Sequence, residues 1–134
     1  MIEKPIKYYS LEFADVDIFE KYMHVTPKEV NMDVSKMEAL LNIANEHFSS
    51  SFGYIGDRKN KNSIEPVSAA FLIEKAVNLK AIAIVTYSTI TEKMVEIEKN
   101  FGLNIPGLNI QVPIEMFKDL DSAVKWIETT VSQN

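Results

Sequence analysis

The chain has 134 residues, no cysteine, 46% hydrophobic residues and 25% charged ones. That length sets the expectation of a single domain spanning 1–134, able to bury a core without metals or disulfides, and the missing cysteine excludes disulfide frameworks, thiol nucleophiles and zinc–thiolate sites. Fourteen Lys and Arg against 19 Asp and Glu give a net charge of −5, which argues against nucleic acid or an anionic membrane as a partner, since both need a basic surface.

No apolar h-region follows the first charges, so the start does not read as a signal peptide. The longest apolar run, 81–85, falls far short of the ~20 residues of a membrane span. A cytoplasmic protein is the expectation.

In chain order, residues 6–13 alternate, and Leu11 and Phe13 flank Glu12 as the half-buried end of a strand. Asp15 reads as a turn, 16–19 as a second strand and 22–26 as a third, stopped by Pro27. Close strands with short turns suggest an antiparallel meander. Asp33 or Ser35 then caps a helix, and Ser35 with Glu38 matches a capping box. Val34, Met37, Leu41, Ala44 and Phe48 form its inner stripe, widened by Leu40 and Ile43.

Residues 52–56 read as a short buried strand, and 57–63 as a polar loop. Pro66 suits the first turn of a second helix to about Asn78, with Val67, Ala70, Phe71, Ile73 and Val77 on its packing side. The run Ala-Ile-Ala-Ile-Val within 80–87 is typical of a parallel strand covered on both faces. Ser88 or Thr89 caps a third helix whose inward stripe is Ile90, Met94, Ile97 and Phe101, with Gly102 as its stop. Residues 103–112 read as a loop and 114–117 as an edge strand after Pro113. Asp119 or Asp121 caps the last helix, lined by Leu120, Val124, Ile127 and Val131.

The expected fold is therefore α/β, with a single mixed β-sheet, antiparallel N-terminal strands, parallel βαβ units and about four helices. Three stretches carry a family resemblance: K-Y-Y-S-L-E-F-A-D-V-D-I-F-E-K-Y at 7–22, F-G-Y-I-G-D-R-K-N-K-N-S-I-E-P at 52–66 with N-L-K-A-I-A-I-V at 78–85, and P-I-E-M-F-K-D-L-D-S-A-V-K-W-I at 113–127. With these the chain resembles small bacterial STAS/SEC-fourteen-like proteins of the SpoIIAA-like fold. The resemblance implies a regulatory module that switches partners through a phosphorylated serine, or a carrier of hydrophobic molecules in an apolar cavity. The partner-switching serine sits in an Asp-Ser-x-Gly context that this chain lacks. Ser63 falls in the corresponding region and is the candidate phosphorylation site.

Arg58, Lys59, Asn60 and Lys61 form the densest basic stretch, after a strand and before a helix start. Ligands of open α/β sheets gather there, and helix N-termini favour anions. Arg58, Asn60, Lys61 and Ser63 are thus the candidate site for an anion or an acidic partner. The plainer alternative pairs Arg58 with a nearby carboxylate such as Glu65 and leaves the lysines solvated. No phosphate-cradling glycine motif is present.

His24 and His47 lack metal-ligand spacing, so no metal or cofactor is expected. Asp15 and Asp17 read as a turn residue and a solvated one. The aromatics Tyr8, Tyr9, Phe19, Tyr22, Phe52, Tyr54 and Phe71 read first as core and second as the lining of an apolar pocket. No catalytic constellation can be assembled. Asp15, Asp17 or a histidine buried among converging polar partners would bring an enzyme back into consideration.

The leading expectation is a non-enzymatic cytoplasmic binding or regulatory module, with an unknown protein partner met at residues 58–65. The alternative is a carrier or sensor of a small hydrophobic ligand in an apolar pocket. An exposed edge strand leaves room for a homodimer.

Overall fold

The computed structural model describes residues 4–103 and 112–133. The chain runs β1 (Lys7–Ser10), β2 (Ala14–Ile18), β3 (Tyr22–Pro27), β4 (Asn31–Met32), α1 (Val34–His47), β5 (Phe52–Asp57), β6 (Ser63–Ile64), α2 (Pro66–Lys75), β7 (Leu79–Val85), α3 (Thr89–Leu103), β8 (Ile114–Phe117) and α4 (Leu120–Ser132). One six-stranded sheet has the order β1-β2-β3-β5-β7-β8. β1, β2 and β3 pair antiparallel, and β3, β5, β7 and β8 are parallel. The expected mixed α/β sheet with four helices is the observed one.

The parallel strands advance in one direction across the sheet. Right-handed crossovers then put the three connecting helices on the same face. α4 follows the last strand and lies on the other face, against β5, β7 and β8. Two cores result. Val16, Val25, Phe52, Tyr54 and Ile82 pack under α1 and α2. Ile55, Ala81, Ala83 and Val85 pack under Ala123, Ile127 and Val131 of α4. β5 lies mid-sheet and all six of its residues are buried.

Several local expectations are corrected. Asp15 lies within β2, opposite Ser10 and Thr26, and the turn falls at 11–13. The first strand is correspondingly shorter, and Ile6 and Tyr8 are exposed. Asp33, not Ser35, caps α1: its carboxylate accepts from the Lys36 amide at 3.0 Å. The polar loop contains β6, which pairs parallel with β4 and ties the approach to α2 to the approach to α1. Val67 and Val77 are exposed, while Ser68, Ala70 and Leu72 are the buried residues of α2. The buried Ser68 hydroxyl lies 2.8 Å from the Met32 carbonyl and 2.6 Å from the Glu65 carbonyl.

The third helix departs furthest. Ile90 and Ile97 are 75% and 56% exposed, and Val95 is the buried residue instead. Val95 and Glu98 face inward, Glu98 toward Arg58, while Met94 is half-buried. Gly102 does not stop α3, which continues to Leu103. The Phe101 side chain and the loop expected after it lie outside the described residues. In α4 the observed stripe of Ala123, Ile127 and Val131 is capped by Asp119, whose carboxylate accepts from the Ser122 amide at 2.8 Å.

Gly53 permits the close approach of α4. A Cβ there would sit 2.6 Å from Ile127 Cγ2, and Ile127 is fully buried. Gly53→Ala is expected to cost about 1–3 kcal/mol through overpacking, measured by urea unfolding. Unchanged stability would contradict this packing.

Candidate functional site, the carboxyl end of the middle strand

Successive residues of a strand face opposite sides of its sheet. At the end of β5 this rule separates two charges. Asp57 turns to the α4 face and Arg58 to the face of α2 and α3. Both are buried, at 1% and 4% exposure. A charge so placed is tolerated only with partners.

Arg58 finds its partner in α3. Its Nη1 donates to Glu98 Oε1 at 2.7 Å, and its Nη2 donates to the Asn62 carbonyl at 3.0 Å. The other carboxylate oxygen of Glu98 accepts from the Ile64 amide at 3.0 Å. The loop is knitted around this pair. Asn62 donates to the Asn60 carbonyl, and Asn60 donates to the Pro27 carbonyl. Glu65 does not serve Arg58; it accepts from Asn31 at 2.6 Å.

Residues 58–63 therefore form no shared cradle. Arg58 is buried against Glu98, Asn60 is tied to the end of β3, and Lys61 is exposed. Ser63 is half-buried, and its hydroxyl donates to Asn31 Oδ1 at 2.7 Å. A phosphate on Ser63 would interrupt this bond, which joins the two short strands β4 and β6.

Arg58 and Glu98 border a cavity of about 100 Å³ between the sheet and helices α2 and α3. Its wall is mainly apolar, with Met37, Ala70, Leu72, Ile82 and Val95 among the lining residues. Tyr54 also lines it, and its hydroxyl has no hydrogen-bond partner among the described residues. Burial raises the Tyr54 phenol pKa, against the opposing pull of the Arg58 charge. The group therefore remains an O–H donor at physiological pH. A second hollow, of about 320 Å³, shares Ile84, Val95, Lys99 and Ile114 with the first and opens between α3 and β8 past Glu96 and Glu115.

Asp57 is served on the opposite face. His24 Nε2 lies 2.8 Å from its Oδ2, and His24 Nδ1 lies 3.6 Å from Asp17 Oδ2. Tyr87 stands nearby, and burial followed by the Asp57 charge pushes its phenol up to about 12. Here a histidine and Asp17 do converge, a cluster that sequence spacing concealed. Nε2 is within hydrogen-bond distance of Asp57, and Nδ1 faces Asp17 at a longer distance. The cluster ties β2, β3 and β5 together. No group of three or more potential metal-ligating side chains occurs among the described residues, and no described helix is long and apolar enough to cross a membrane.

The sequence did not point to Glu98, gave Tyr54 only as the second reading of a core aromatic, and gave His24 no partner. The one available signal was Arg58 itself, a charge directly after a buried strand, which demands a carboxylate from an element crossing above it. The 40-residue separation hid which one. No family model, no curated protein and no solved structure matches the chain.

Glu98→Gln leaves the Arg58 charge buried without its counter-charge and is expected to cost about 3–5 kcal/mol. Glu65→Gln is expected to cost less than about 1 kcal/mol, as for an exposed polar contact. Denaturant unfolding of the two variants side by side checks the assignment, and equal losses would refute it.

Proposed function

We propose that this chain is a non-enzymatic binding module that takes a small apolar molecule into the cavity bordered by Tyr54, Arg58 and Glu98. The observation that carries the reading is the cavity itself. Protein interiors are close-packed, and voids larger than a water are few. An apolar void of about 150 Å³ stays dry and binds benzene. A hollow of about 100 Å³ with an adjoining outlet matches that kind of occupant.

The sequence resemblance supports the same choice. The lipid-carrier branch of the STAS/SEC-fourteen-like group holds hydrophobic molecules between sheet and helices. The partner-recognition reading leans most on Arg58, and that side chain is engaged inside the protein by Glu98 and Asn62. Acting in the cytoplasm, the module would report on or carry its ligand, with α3 as the element that feels its presence.

The test fills the cavity. Ala70 is buried on α2 and lines the hollow. Native mass spectrometry of gently purified protein, with extraction and identification of any bound molecule, is expected to show a small apolar adduct. Ala70→Leu is expected to abolish the adduct while the circular dichroism spectrum stays the same. Protein that takes up no apolar molecule, even at saturation, would overturn the proposal.

A further inference from the structure

Two residues of the cavity wall carry a donor without a hydrogen-bond partner among the described residues, Arg58 at its Nε and Tyr54 at its hydroxyl. Tyr54 is 7% exposed, lines the hollow and has a hydroxyl without a hydrogen bond among the described residues. A net hydrogen bond is worth about 0.5–1.5 kcal/mol, so a ligand that accepts from the Tyr54 hydroxyl gains what an inert filler does not.

The charges around the site decide what kind of acceptor this is. The Arg58 guanidinium is already neutralised by Glu98 at 2.7 Å. Its Nη2 is committed to the Asn62 carbonyl, and its Nε is buried without a partner. Beyond this pair, the outlet is bordered by Lys99, Glu96 and Glu115. Lys99 Nζ donates to the Ile114 carbonyl at 3.1 Å on the exposed side. Arg58 and Lys99 thus stand against Glu96, Glu98 and Glu115. A carboxylate or phosphate entering here meets no uncompensated cation and would lose its hydration. A hydrocarbon would leave the phenol unpaired. An alcohol would satisfy the phenol but bring a further O–H into the apolar wall.

Building on the cavity-binding reading, we propose that the ligand is an uncharged apolar molecule with one acceptor oxygen, such as a ketone, ester or lactone, whose oxygen accepts from the Tyr54 hydroxyl. Tyr54 is then the specificity-determining residue of the site, and Arg58 with Glu98 forms a neutral wall.

Three probes of similar size separate the outcomes: cyclopentanone, cyclopentane and cyclopentanecarboxylate at neutral pH. Binding is read by NMR titration of the Ile82 and Ile84 methyl groups, both on the cavity wall. Cyclopentanone is expected to bind about 5-fold more tightly than cyclopentane, the worth of one net hydrogen bond, and more tightly still than the carboxylate. Tyr54→Phe is expected to erase the preference for the ketone while cyclopentane binds as before. Equal binding of ketone and hydrocarbon by the unaltered protein would overturn the assignment of Tyr54 and leave cavity binding standing. Strongest binding by the carboxylate would overturn the uncharged ligand. Failure of all three to bind would remove the cavity-binding reading and this inference with it.

Discussion

Two adjacent and opposite charges at the end of β5 set the terms for the rest of the molecule. A buried strand in the middle of a parallel sheet is normally apolar throughout. Here it ends in Asp57 and Arg58, each almost fully enclosed. The alternation of a strand sends one to each face, so each face must supply a counter-group. His24 does so from β3, a neighbour in the sheet. Glu98 does so from α3, an element that reaches the site only by crossing over it.

The second demand explains the third helix. By hydrophobic period alone, Ile90, Met94, Ile97 and Phe101 should turn inward. That rotation would carry Glu98 away from Arg58 and strand a buried guanidinium. Leaving Ile90 and Ile97 largely outside forgoes part of roughly 1.5–3 kcal/mol at each, and burial of Val95 returns a share of it. An uncompensated buried charge costs about 3–5 kcal/mol. The observed rotation is the one that keeps the ion pair, and α3 presents Val95 and Glu98 inward. Among the described side chains of α3, Val95 and Glu98 border the cavity together with residues of α2 and the sheet. In α2 too a buried polar group sits where apolar spacing did not place it: Ser68 is buried with its hydroxyl near the Met32 and Glu65 carbonyls, and Val67 is outside.

Where apolar burial alone decides, the sequence was legible. The run Ala81–Val85 read as a strand covered on both faces and is one. The wide stripe of α1 and the narrow one of α4 were visible in their spacing, and Asp33 and Asp119 were among the expected caps. The antiparallel start and the parallel remainder followed from element order. What failed were positions held by a polar contact distant in sequence. Arg58 was visible as an oddity, but its partner lay 40 residues on. His24, Asp17 and Asp57 come from three strands, and no local spacing announces them. Tyr54 looks like any core aromatic, because an unpaired hydroxyl is a property of the packed state.

The central claim is that the Arg58–Glu98 pair, rather than the apolar stripe, fixes the rotation of α3 above the cavity. The chain has no cysteine, so single substitutions report cleanly on exposure. Thiol labelling of Ile90→Cys, Val95→Cys and Ile97→Cys measures that rotation directly. The account predicts that positions 90 and 97 label as fast as an unstructured peptide, while position 95 stays protected until the protein unfolds. Rapid labelling at 95 with protection at 90 and 97 would contradict it.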